Sequence, residues 1–298
     1  MNLEIRVTSE KKGSNPGGCC QIQEYPHSSP WTAYLKHCNS SSIKQETTTF
    51  RYVHQPFYEA ITCQILTELG LHIPEFFVLL NKKAKTESDG RFYSDKTREI
   101  NFSSERDVKC EIKSGMPYYF VTRFIERPKT EDVSAAEEII GRESIYLNLL
   151  QVSDIKGKKQ NYVITEEIFE DDSEINTRPV VFYLDLGCNF VNAVNGSLQF
   201  HGSHFKPLQK KDLKKALRNL EKHSIVDMKG SRAISLTELV ESPRFMEIPV
   251  LNPRCRVRLD RFLSEYEIEE IIARLASGVQ TQLHKLRDSP YIRANRNH

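Results

Sequence analysis

Long apolar runs are missing from this 298-residue sequence. No stretch approaches the ~20 residues that a membrane-spanning helix needs. The opening MNLEIRVTSE is charged and has no apolar core segment, so it does not read as a signal peptide. Cysteine pairs at metal-ligand spacing are missing too. The seven cysteines (Cys19, Cys20, Cys38, Cys63, Cys110, Cys188 and Cys255) are odd in number and include no CxxC. That pattern excludes a disulfide framework and a tetrahedral zinc site, and fits free thiols in a reducing, cytosolic compartment. An excess of one charge is also lacking. Lys and Arg number 42 against 40 Asp and Glu, for a formal net charge of +2. A protein that binds nucleic acid over its whole surface would be more basic, so any polyanion site must come from local clustering. No internal repeat or long low-complexity tract is visible.

What remains is enough for a sizeable core. Hydrophobic residues make up 39% and charged residues 28%, the balance of a soluble globular chain. Strand-like alternation opens it at Leu3, Ile5 and Val7. A turn-rich stretch from Lys11 to Gly18 follows, then strands around Cys20–Tyr25 and Trp31–Lys36. Phe57, Ile61, Ile65 and Leu69 recur at helical spacing and Gly70 stops the helix. Apolar strands are predicted at Phe76–Leu80 and Tyr118–Ile125, around a charged, irregular insertion at 82–112. A helix is predicted over 134–151. Short strands at Tyr162–Thr165 and Val180–Leu184 flank an acidic insertion, and the remainder reads as mainly helical. Ser264-Glu265-Tyr266-Glu267 forms a capping box before the last helix. The expected class is α+β, with a strand-rich part carrying one helix (1–127) and a helical part (128–298). A nucleotide is expected in the cleft between two such lobes.

Four segments carry the residue types that phosphoryl transfer uses: a cation for the phosphates, oxygen ligands for magnesium, and a carboxylate beside the acceptor hydroxyl. Ala33-Tyr34-Leu35-Lys36 ends a strand after the Gly-containing loop and resembles the V-A-I-K element of protein kinases. Tyr58-Glu59-Ala60 through Leu69-Gly70-Leu71-His72-Ile73-Pro74 resembles HipA-like kinases, whose glutamate-bearing helix ends in a similar Leu-Gly-Leu-x-x-Pro passage. Ser153-Asp154-Ile155-Lys156 with Asn161 is similar to H-R-D-L-K-x-x-N. It departs in having Val152-Ser153 for the His-Arg pair and two extra positions before the asparagine. Val180 to Leu184 is an apolar strand that ends in Asp185-Leu186-Gly187, which resembles D-F-G. An aspartate at the mouth of a buried strand needs a metal or hydrogen bonds to offset its desolvation.

The order and elements resemble the protein-kinase superfamily from about residue 3 to 190, close to HipA-like and atypical bacterial effector kinases. The resemblance implies a bilobal kinase-like fold, ATP and Mg²⁺ as cofactors, and a protein substrate. It assigns Lys36 to the α/β-phosphates, Glu59 to holding Lys36, Asp154 and Lys156 to catalysis, and Asn161 and Asp185 to the metal. Gly13, Gly17 and Gly18 would cover the phosphates with backbone amides. The lysine in Asp154-Ile155-Lys156 favours Ser/Thr acceptors. Kinship with injected effectors adds a host cytosol as the place of action. A small-molecule or lipid kinase, and a pseudokinase that only binds, are the alternatives.

A basic feature follows. His201, His204 and Lys206 precede a helix on which Lys211, Lys214, Lys215, Arg218 and Lys222 share one face, opposite Leu213, Ala216, Leu217 and Leu220. Like charges at this spacing repel, and a polyanion would relieve them. The candidates are an inositol polyphosphate, a phosphoinositide head group, a phosphorylated peptide or nucleic acid, and the effector-kinase resemblance favours inositol hexakisphosphate as an activator. Nucleic acid is disfavoured by the near-zero net charge.

Overall fold

The computed structural model describes residues 2–10, 16–24, 28–38, 51–82, 98–106, 108, 111–129, 132–150, 152, 155, 159–171, 174–186, 211, 215, 218–219, 222, 246–251 and 255–275. The chain is mixed α+β and divides into two compact units. The first comprises Met1–Cys63, Pro74–Ile125 and Pro243–Ile268. The second comprises Gln64–Ile73, Glu126–Ser242 and Glu269–His298.

In the first unit, β1 (Asn2–Glu10), β2 (Gly17–Gln23) and β3 (Trp31–Lys36) form an antiparallel meander, and β3 continues into β6 (Tyr118–Arg123) and β4 (Phe76–Leu80). The two-residue period of these strands sends Leu3, Ile5, Val7, Cys20, Ile22, Ala33 and Leu35 to one face, where they meet Phe77, Leu79, Tyr119 and Val121 in the core. Lys36 follows Leu35 and therefore points to the other face. Helix α1 (Gln55–Glu68) comes after a 3-10 turn at Tyr52–His54.

Three strands of this sheet fell outside the sequence reading. β5 (Glu99–Ser104) lies inside the supposed irregular insertion and pairs in parallel with β1. It is an edge strand that buries chiefly Ile100, so its alternation is faint. β9 (Glu247–Val250) pairs in parallel with β4, and β10 (Cys255–Arg258) pairs with β9. The sequence reading placed them in a helical part. They are four residues each and Pro249 interrupts the pattern, but Ile248, Val250 and Val257 are buried, and they bring the chain back to the first unit.

Gly17 and Gly18, expected in a loop over phosphates, instead open β2 and pair with Lys36 and Leu35. A Cβ at Gly17 would lie 2.7 Å from the Leu35 carbonyl oxygen and 2.9 Å from the Lys36 Cβ. One at Gly18 would run into the Ser9 carbonyl oxygen, beside the irregularity in β1 between Val7 and Ser9. Backbone cannot swing aside as a side chain can. Gly18→Ala is therefore expected to lower stability by about 1–3 kcal/mol. Urea unfolding followed by the fluorescence of Trp31, the sole tryptophan, checks it, and an unchanged midpoint would show that β1 yields at no cost. Gly13 lies outside the described residues.

The last turn of α1 belongs to the second unit and ends as the sequence suggests. Gly70 adopts φ +87°. Its N–H donates to the Thr67 carbonyl at 2.9 Å, and the Leu71 N–H donates to Leu66 at 3.0 Å, which together form a Schellman motif. α2 (Val133–Leu149) and a hairpin of β7 (Tyr162–Asp171) and β8 (Glu174–Tyr183) build the rest of this unit. The two short strands and acidic insertion of the sequence reading are one long hairpin. In its outer half Ile168 and Ile175 are exposed. Among the described residues, no helix is long and apolar enough to cross a membrane.

Candidate functional site

The geometry starts at the end of β3. The Lys36 ammonium forms an ion pair with the Glu59 carboxylate of α1, and the two residues are only 4% and 2% exposed. The Lys36 Nζ also lies 5.5 Å from the centroid of the Phe120 ring, contributed by the paired strand β6. Two charges this deep are costly to desolvate, and their attraction repays that cost only when the geometry is good. Such a pair is weak evidence for a role in stability. One turn after Glu59, burial pushes the Cys63 thiol well above its ordinary value, with Glu59 adding to the rise and Lys36 opposing it. Cys63 is therefore held as a neutral thiol beside the pair.

The helix that carries Glu59 is held by a cluster that sequence reasoning missed. Glu267 is completely buried. Its Oε2 accepts hydrogen bonds from the Ser264 backbone N–H at 2.9 Å and the Ser264 hydroxyl at 3.1 Å, while the Ser264 Oγ accepts from the Glu267 N–H at 3.3 Å. That is the capping box predicted from the sequence. The other oxygen, Oε1, accepts from the Tyr58 hydroxyl and lies 2.6 Å from the His54 Nδ1. Facing a carboxylate, that nitrogen carries the proton. Burial alone would raise the Glu267 carboxyl, yet the hydrogen bonds from His54, Tyr58 and Ser264 hold it below the usual carboxylate range. The box was legible because its spacing is local. Partners 209 and 213 positions away leave no such signal.

In the second unit, Asn161 closes a 3-10 turn at Lys159–Asn161 and is 3% exposed. The Leu184 N–H donates to its carbonyl at 2.8 Å, which extends the β7–β8 pairing by one step. Asp185 comes next, half-buried, with φ +55°. Among the described residues it is the one non-glycine residue with a positive φ. Aspartate tolerates this region better than most side chains, and such conformations cluster at functional sites. The hairpin thus brings the two expected metal ligands to the same end. Asp154 and Lys156 lie outside the described residues; of their neighbours, Val152 and Ile155 are buried. Among the described residues, no group of three or more His, Cys, Asp or Glu gathers as metal ligands.

Of the expected polyanion face, His201, His204, Lys206 and Lys214 lie outside the described residues. Lys211, Lys215, Arg218 and Lys222 are helical and exposed. Lys215 lines a cleft of about 660 Å³ within the second unit, together with His72, Arg142, Glu143, Tyr146 and Arg178. The cleft is of mixed charge. Arg178 pairs with Glu167 at 2.6 Å. Burial raises the Glu143 carboxyl, against the opposing effects of the Tyr183 hydroxyl, which donates to it at 2.6 Å, and of His72, Arg142 and Lys215.

No protein-family model, curated protein or solved structure matches the chain.

Proposed function

We propose that this chain is an ATP- and Mg²⁺-dependent phosphotransferase of the protein-kinase type, which moves the γ-phosphoryl group onto Ser or Thr hydroxyls of a protein. In this reading the sheet unit corresponds to the N-lobe of a kinase and the unit built from α2 and the hairpin to the C-lobe. The observation that carries it is the buried Lys36–Glu59 pair, a strand-end lysine held by a glutamate of the next helix. A phosphate-binding lysine must be charged and fixed, and a buried carboxylate partner supplies both conditions. Lys36 would hold the α/β-phosphates.

Asp185 and Asn161 would hold magnesium. One carboxylate and one amide give hard oxygen donors, which suit that ion, and the Asn161–Leu184 hydrogen bond keeps their backbones together. Bound magnesium would neutralise charge on the phosphoryl oxygens. Asp154 would orient the acceptor hydroxyl and take its proton, and Lys156 would balance charge on the γ-phosphate. The basic helix with Lys211, Lys215, Arg218 and Lys222 would take an inositol polyphosphate as activator.

Incubation with Mg²⁺, labelled ATP and a generic acceptor protein, with and without inositol hexakisphosphate, tests the reading. Label on protein is the expected result, increased by the inositol phosphate. The two extra positions between Asp154 and Asn161 favour a second reading, a pseudokinase. ATP binding without transfer would select it, and absence of both would end the kinase assignment. Label on a small molecule or lipid in place of protein would keep the chemistry and change the acceptor.

A further inference from the structure

Three successive residues of α1 each meet a different partner. The Phe57 ring stacks on Phe262, with centroids 4.7 Å apart and planes at 25°. The Tyr58 hydroxyl donates to Glu267. Glu59 pairs with Lys36. Consecutive helical side chains point about 100° apart, so fixing the directions of Phe57 and Tyr58 sets the rotation of the helix about its axis. That rotation decides where Glu59 points. Two of the three partners, Phe262 and Glu267, come from one remote piece of chain, 243–268, that joins the first unit. His54, in the turn before α1, meets the same Glu267 oxygen, and the Arg51 backbone N–H donates to the Tyr58 hydroxyl at 3.0 Å. A capping box needs one carboxylate oxygen. Here the second is spent on α1, and the whole group is buried at a desolvation cost that its several donors offset.

We infer that Glu267 is a positioning residue: through Tyr58 and His54 it sets the rotation of α1 and so presents Glu59 to Lys36, which makes residues 243–268 a clasp on the phosphate-binding pair. This deepens the kinase reading and rests on it for its catalytic consequence, whereas the clasp itself is a statement about α1.

The test uses the full chain with Tyr58→Phe, which removes only a hydroxyl, and Glu267→Gln, which keeps the shape. Arg258→Ala is the control, since it breaks the exposed Arg258–Asp260 pair of the same piece of chain. Hydrogen exchange of peptides covering 55–63 and of β1–β3 is measured beside phosphoryl transfer. Exchange at 55–63 is expected to rise by about tenfold in both variants, the scale of one lost charge-assisted hydrogen bond, with β1–β3 and the control unchanged. The kcat is expected to fall by at least about tenfold, and by more than the KM for ATP rises, because misorientation acts on the chemical step. Equal acceleration in the strands would mean a merely structural role and overturn the inference. Unchanged exchange at 55–63 would overturn it as well, and so would faster exchange with an unchanged kcat. Should Glu267→Gln not fold, the isosteric Tyr58→Phe still decides. A parent chain without transfer would sink the kinase reading and with it the catalytic consequence, while exchange at 55–63 would still decide the clasp.

Discussion

Asp185→Asn is expected to lower phosphoryl transfer on the order of 10²- to 10³-fold, the scale seen when one preorganised electrostatic contact to the reacting group is removed. The choice of asparagine matters. Asp185 sits at φ +55°, where asparagine is as comfortable as aspartate and alanine is strained. Asp185→Ala would confound the lost carboxylate with a backbone cost of about 1 kcal/mol. Asp185→Asn removes the charge and keeps the positive φ after β8 tolerable, so the thermal midpoint should stay near that of the parent. Transfer and melting measured on the same preparations check both halves. Activity retained in Asp185→Asn would remove this residue from the proposed metal site. A large drop in the midpoint would make it a structural residue.

Lys36→Met is expected to destabilise the chain by about 3–5 kcal/mol, since it removes from the interior the cation that the buried Glu59 carboxylate pairs with. The double variant Lys36→Met/Glu59→Gln should recover much of that loss. Methionine packs well on an aromatic ring such as Phe120, and a neutral amide is cheaper to bury than a carboxylate. Neither variant should transfer phosphate. The expectation that separates this site from an ordinary stabilising ion pair is therefore a double variant near parental stability without activity. Urea unfolding read from Trp31, which lies in β3 against Phe77 and Arg123, follows the unit in question. With Glu59→Gln alone as the fourth corner of the cycle, a double-variant loss equal to the sum of the two single losses would show that the two charges are not each other's main partner.

The pairing of Lys36 with Glu59 was legible in the sequence because both residues sit at regular places on regular elements. The alternation Ala33/Leu35 fixes which way Lys36 points, and helical spacing with the Gly70 stop fixes the frame of α1. The adjacency of Asn161 and Leu184 follows from a hairpin whose inner strands are apolar and whose outer half is not, so its true length was hidden while its inner end was readable. β5, β9 and β10 were unreadable for another reason. Short strands at or near a sheet edge bury one or two side chains each, and their pairing is decided by the edges they meet, not by their own composition. The Glu267–Tyr58–His54 cluster shows the same limit at a single residue. A glutamate in a capping box looks the same in sequence whether its second oxygen faces water or the interior.

The interleaving of the two units has a consequence for synthesis. The sheet that holds Lys36 takes its last two strands, and α1 its last anchors, from residues after Pro243. Between Ile125 and Pro243 the ribosome must add roughly 120 residues, which at ~5–20 residues per second takes on the order of ten seconds. During that interval the β4 edge has no β9 beside it and Phe57 no Phe262. The nascent chain would carry an apolar strand edge and a helix without its clasp until residues 243–268 have emerged, and any phosphate-binding competence would begin only after them.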